Sequence, residues 1–135
     1  WDTCQMPINV LDAHYRSFQK ELLPELERRG IGVIGMKSLG GGGQFVSQAG
    51  LTAQECRAYS LSLPISTLIC GIQSDANLAQ DIAIAEDFQP LSADAMRDLE
   101  ARVEGVATDG RHEWFKSTQR FDSQYHRDQH GFTVG

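Results

Sequence analysis

The strongest constraint on the fold is an alternation along the chain. Short, mostly apolar runs recur between longer stretches with helical spacing. Residues 3–8, with Cys4, Met6 and Ile8, form the first strand-like run. Tyr15, Phe18, Leu22 and Leu26 then follow at steps of three and four, the spacing of one helix face. Pro24 restarts that helix, because its ring suits a first turn better than an interior, and Gly30 is placed to cap the end. Residues 31–36 read as a strand buried on both faces. A loop runs from the glycines at 40–43 to Gly50. Thr52 and Glu55 make a capping box, with Leu51 and Cys56 as its staple, which predicts a helix over 53–63 closed by Pro64. Residues 66–70 are a third strand. Ser74 or Asp75 caps the next helix, with Leu78, Ile82 and Ala85 on one face. Ser92 caps the last, with Met96, Leu99, Val103 and Val106 in register.

Strands alternating with helices imply an α/β fold with parallel strands joined by right-handed crossovers. Three such strands make a small open sheet or a sector of a barrel. A closed (β/α)8 TIM barrel takes roughly 250 residues, so 135 residues hold about half of one or less. With 41% hydrophobic residues, the chain can build one core. The pattern assigns it to residues 1–108 and leaves 109–135 as a polar, aromatic tail. The net charge of −6 argues against a nucleic-acid partner, because a phosphate backbone requires a concentrated excess of Lys and Arg. No apolar run approaches the roughly 20 residues that span a bilayer, so no membrane partner is expected. Cys4, Cys56 and Cys70 are odd in number and lack metal spacing; they read as buried, reduced thiols of a cytoplasmic protein. The first residue is Trp1, which fits either a removed leader or a cut inside a larger protein.

Gly30, Gly32 and Gly35 match G-x-G-x-x-G letter for letter, yet the dinucleotide mechanism needs glycines after a strand and at a helix start. Here they precede and enter a strand, so they read as a cap and as small packed residues. The glycines at 40–43 are better placed, just past a strand's C-terminal end. That end is the functional rim of barrels and open α/β sheets alike, and glycine amides there can surround a phosphate. A plain flexible loop is the competing reading. Gly71, Ile72, Gln73, Ser74 and Asp75 repeat the arrangement one unit later, leading into a helix N-terminus that attracts anions. His126 and His130 have the spacing of metal ligands on a helix, but their surroundings are polar and no third ligand is near, so a solvated tail is preferred and no metal is expected. Trp114, Phe115, Phe121, Tyr125 and Phe132 imply that the tail packs against something.

Three segments in order resemble the aldo/keto reductase family: Gln5-Met-Pro-Ile-Asn-Val-Leu11; Gly30-Ile-Gly-Val-Ile-Gly-Met-Lys-Ser-Leu-Gly40; and Leu68-Ile-Cys-Gly-Ile-Gln-Ser74 with Asn77, Leu78, Gln80 and Asp81 behind it. Together they cover roughly residues 3–88 and are similar to that family's strands six to eight. The segment Asp109-Gly-Arg-His-Glu-Trp-Phe115 is similar to a C-terminal extension in a bacterial branch. The resemblance implies the C-terminal part of a barrel that binds NADPH, with NADH as the alternative. It places Gln5 at the nicotinamide carboxamide, and Lys37, Ser38, Leu39, Gly40, Gly41 and Gly42 at the pyrophosphate. Gly71, Ile72, Gln73 and Ser74 fall at the adenosine phosphate, and Asn77, Gln80 and Asp81 at the adenine. The sequence departs from the family pattern in four places. Ile8 stands where many members have a Tyr, and Lys37-Ser38 replaces the common Ser-Pro. Ser74 replaces the basic partner of the 2′-phosphate, and Gln80-Asp81 replaces Glu-Asn. The family's Asp, Tyr, Lys and His tetrad belongs to earlier strands, and Tyr15, Tyr59 and Tyr125 lie on helices or in the tail. No catalytic residue is therefore assigned, and carbonyl reduction is expected only of a complete protein. The expected partners are an adenine dinucleotide and either the missing N-terminal half of the barrel or a second copy. The rival reading is a stand-alone nucleotide-binding or protein-interaction module without redox chemistry.

Overall fold

In the computed structural model, which describes residues 1–116, β1 (Thr3–Pro7), β2 (Gly32–Met36) and β3 (Thr67–Leu68) form a parallel sheet in the order β1-β2-β3. The chain is thus α/β, as the alternation predicts. Thr3 lies opposite Gly32 and Pro7 opposite Met36, while Ile34 and Gly35 face Thr67 and Leu68. Backbone bonds from Ser66 to Val33 (2.7 Å) and from Ile69 to Gly35 (2.8 Å) extend the β3 ladder almost over the expected run. Among the described residues β1 and β3 each have a single strand neighbour.

The first helical stretch restarts at Pro24 as expected, but it is preceded by a further break that the spacing does not predict. A 3-10 turn (Val10–Ala13) comes first, then α1 (Phe18–Glu21) and α2 (Leu23–Arg28). The Ser17 side chain caps α1, and Pro24 sits in the first turn of α2, where it costs no hydrogen bond. At this restart Leu23 is buried and Leu22, predicted to face inward, is 43% exposed. Gly30 has φ +68 and hands the chain to β2, the left-handed cap expected of it. A short helix, α3 (Gln44–Gln48), replaces part of the predicted 40–50 loop. The Thr52–Glu55 box caps α4 (Ala53–Leu61), which stops two residues before the predicted end. Ser74 caps α5 (Asp75–Glu86), and Ser92 caps α6 (Ala93–Ala107).

Two apolar clusters hold these elements. Met6, Ile8, Leu23 and Val33 join the sheet to α2, with Phe18 and Leu26 alongside. Val10, Leu11, Phe45, Leu51, Cys56, Tyr59, Leu99, Val103 and Ala107 join the 3-10 turn to α3, α4 and α6. The helices cover the sheet face that carries Met6, Val33 and Gly35. The other face holds Gln5, Ile34 and Met36, which are exposed or half-buried, and Gln5 Nε2 lies 3.0 Å from Met36 Sδ across it. The α5 face predicted from Leu78, Ile82 and Ala85 is not buried: Leu78 is 42% and Ile82 48% exposed, because among the described residues β3 is an edge strand. Of the three thiols, all reduced, Cys56 is buried, whereas Cys4 and Cys70 are half-buried, not buried as predicted.

The start of the tail is tied into the body. Lys116 Nζ is buried against Asp12 Oδ1 (2.5 Å), Glu113 Oε2 (2.9 Å) and the Tyr15 carbonyl (2.8 Å). Asn9 donates to Glu113 Oε1 (3.1 Å) and Arg16 to the Lys116 carbonyl (2.8 Å). Phe121, Tyr125, His126, His130 and Phe132 lie outside the described residues. No described helix is long and apolar enough to cross a membrane.

Candidate functional site

Parallel strands deliver their following turns to one rim, so the glycine turn after β2 and the turn after β3 meet at the C-terminal end of the sheet. Between them lies a cleft of about 430 Å3. It is lined by Lys37, Ser38, Leu39, Gly40, Gly41, Gly42, Gly71, Gln73, Asn77, Gln80 and Asp81, residues brought together from two turns and α5. Gly43, Arg57 and Ile69 complete the lining. Three residues grouped with these by sequence lie elsewhere. Gln5 is on the half-covered sheet face, Ile72 turns to an apolar cleft beside β3, and Ser74 caps α5 by accepting from the Asn77 amide (3.2 Å).

The glycine turn does not present a ring of free amides. Gly40 donates to Lys37 O (2.8 Å), Gly41 to His112 O (3.1 Å) and Gly43 to Leu39 O (3.0 Å). Gly40 and Gly43 need their glycine identity for conformation, at φ +70 and +76. Gly41 needs it for space: a Cβ there would come within 2.5 Å of Trp114 Nε1 and 3.1 Å of the His112 carbonyl. Residues 112–114 therefore lie against this turn, and the ring of His112 stands 6.4 Å from that of Phe45. At Gly71 the reverse holds, since a Cβ would meet nothing within 4 Å.

Lys37 and Arg57 set the charge of the cleft against Asp81, leaving one net positive charge among its lining residues. Lys37 sits at φ +56, in the left-handed region that a non-glycine residue seldom enters. Its ammonium lies 5.2 Å from the centre of the Phe115 ring, a cation–π distance. Arg57, which the sequence reading passed over, is buried at 6% exposure. From α4 its guanidinium forks onto Asp81 (Nε–Oδ1 2.9 Å, Nη2–Oδ2 3.2 Å), and Nη1 donates to Ser38 Oγ. The Asp81 carboxylate is therefore occupied by Arg57. A signal for Arg57 existed: a lone arginine beside Cys56 and Tyr59 in an apolar helix stretch asks for a buried counterion.

A second cleft of about 440 Å3 separates α4 from α5, lined by Gln54, Gln80, Asp87 and Phe88 among others. With an acid and no cation it disfavours an anionic ligand. Among the described residues no group of three or more His, Cys, Asp or Glu is gathered for a metal. Tyr59, buried in the core, donates to Glu100 Oε1 (2.6 Å), with Gln19 Oε1 3.0 Å away. Burial and the Glu100 carboxylate raise its pKa above the ordinary value, so the phenol keeps its proton, engaged by Glu100 in the core and away from the cleft. No family model, no curated protein and no solved structure matches this chain.

Proposed function

We propose that the cleft at the ends of β2 and β3 binds the adenosine and phosphate end of a nicotinamide dinucleotide, and that the chain is the cofactor-binding part of an aldo/keto reductase-like (β/α)8 oxidoreductase. The supporting observation is the convergence of two successive strand-end turns and the α5 residues Asn77, Gln80 and Asp81 on one cleft with a net positive charge. The donor set suits that ligand. Lys37 suits phosphate, and Gln73, Asn77 and Gln80 offer the paired donors and acceptors that an adenine or ribose edge uses. Because Gly40, Gly41 and Gly43 spend their amides within the chain, the glycine turn contributes shape more than hydrogen bonds. The half-covered sheet face and the single-neighbour edges of β1 and β3 support a sector of a larger barrel.

A bound nicotinamide supplies hydride to a carbonyl carbon. The described residues bind and orient the dinucleotide. Tyr59, locked in the core, is not available to the cleft as a general acid. On this reading, as the family resemblance implies, the proton donor would come from strands outside this chain, and the chain alone is expected to show no carbonyl reductase activity. Ser74 is committed to capping α5 and carries no charge for a 2′-phosphate, so NADPH and NADH are expected to bind within a few-fold of each other.

The test is a fluorescence titration of the full chain with NADPH and NADH, repeated on Gly71→Val. Space around Gly71 makes this substitution harmless to folding, whereas the added side chain intrudes on the cleft. Saturable binding by the parent that is lost in Gly71→Val at unchanged melting temperature supports the proposal. No binding by the parent, or equal binding by both proteins, overturns it.

A further inference from the structure

α5 has no buried residue along its length, and the element it chiefly packs against is α4. A helix without a buried stripe needs something other than apolar area to fix its position. The largest buried polar tie between the two is the Arg57–Asp81 fork, whose side chains are 7% and 13% exposed. The third arm of the same guanidinium holds Ser38, at the start of the glycine turn. One planar group thus spans both walls of the cleft, the turn after β2 and the helix that carries Asn77 and Gln80. Lysine cannot replace it, because an ammonium lacks the planar fork that grips a carboxylate in register.

We propose that Arg57 is the positioning residue of the nucleotide cleft, setting the distance between the glycine turn and α5, and that Asp81 serves as its anchor and makes no contact with the ligand. This rests on the nucleotide reading above and adds the group that gives the site its width. Arg57 acts through Ser38 and Asp81.

The experiment compares the full chain with Arg57→Lys, Arg57→Met and the double variant Arg57→Met/Asp81→Leu. NADPH affinity, melting temperature and amide hydrogen exchange of α5 without nucleotide are measured on each. Arg57→Met strands a buried carboxylate and is expected to lose stability. The double variant removes both charges and is expected to recover the melting temperature, so a folded protein is available for every reading. The expected result is at least a tenfold loss of affinity in the double variant, an incomplete rescue by Arg57→Lys, and faster exchange in α5 in both. A double variant that binds NADPH like the parent overturns the proposal, as does α5 exchange unchanged from the parent. Should the parent bind no nucleotide while α5 exchange still rises in the variants, the clamp stands and the nucleotide reading fails. Unchanged exchange with intact parent binding sinks the clamp alone.

Discussion

Lys116→Met is the perturbation that most sharply tests how the tail is fastened. The ammonium is 1% exposed and touches two carboxylates, Asp12 at 2.5 Å and Glu113 at 2.9 Å. At an effective dielectric of about 20, a pair at 4 Å is worth about 4 kcal/mol before desolvation, and removing one member of a buried pair costs about 3–5 kcal/mol. The damage is unequal. Asp12 keeps the amides of Phe18 (3.1 Å) and Gln19 (2.7 Å) and the Ser17 hydroxyl (3.2 Å), whereas Glu113 keeps Asn9 Nδ2. Burial already pushes Glu113 above its ordinary pKa, opposed by Lys116. Its folded pKa exceeds its unfolded one, so its contribution to stability is complete below the unfolded value and is lost as pH rises through the folded value. Without Lys116 the folded value climbs further. The variant should therefore unfold at lower urea near pH 7, with a deficit of about 3 kcal/mol or roughly 10–15 °C, and that deficit should shrink towards pH 5. Urea melts of both proteins followed by circular dichroism at several pH values measure it. A deficit below about 1 kcal/mol near pH 7, or one that grows on acidification, refutes the reasoning.

Two further outcomes are expected. Thr52→Ala removes the capping-box acceptor for the Glu55 amide (3.1 Å) and should cost about 1 kcal/mol by urea denaturation, with nucleotide binding unchanged. Burial pushes the Cys56 thiol up to about 12, so a thiol reagent near pH 8 should leave Cys56 unlabelled in the folded chain and label it once unfolded, read by peptide mass.

What could be read in the sequence was mostly local. The Thr52 box, the Ser74 and Ser92 caps and the Gly30 turn each need residues within about four positions of one another, and each forms as expected. Strand alternation also sufficed to bring the turns after β2 and β3 together, because parallel topology makes their ends coincide. What stayed hidden depends on distant partners. Arg57 meets Asp81 24 positions away, and Lys116 meets Asp12 104 positions away; no spacing rule encodes either. The glycine amides were misjudged for the same reason, since His112, 71 positions on, takes the Gly41 N–H. Leu22 and Leu23 exchanged roles where the helix breaks before Pro24, while Phe18 and Leu26 keep the predicted face. Leu78 and Ile82 have the period of a buried face but lie beside an edge strand, and periodicity alone cannot tell a covered face from an open one.

The central claim, that a dinucleotide sits between the glycine turn and α5, is tested most directly by amide chemical-shift mapping. NADPH is added to the isotope-labelled full chain and the perturbed amides are located. The account predicts saturable shifts concentrated at Lys37, Gly42, Gly71, Gln73 and Asn77, around the cleft of about 430 Å3. Shifts centred instead on Gln54, Ala83 and Phe88 in the neighbouring α4–α5 cleft, or no saturable shifts at all, would contradict it.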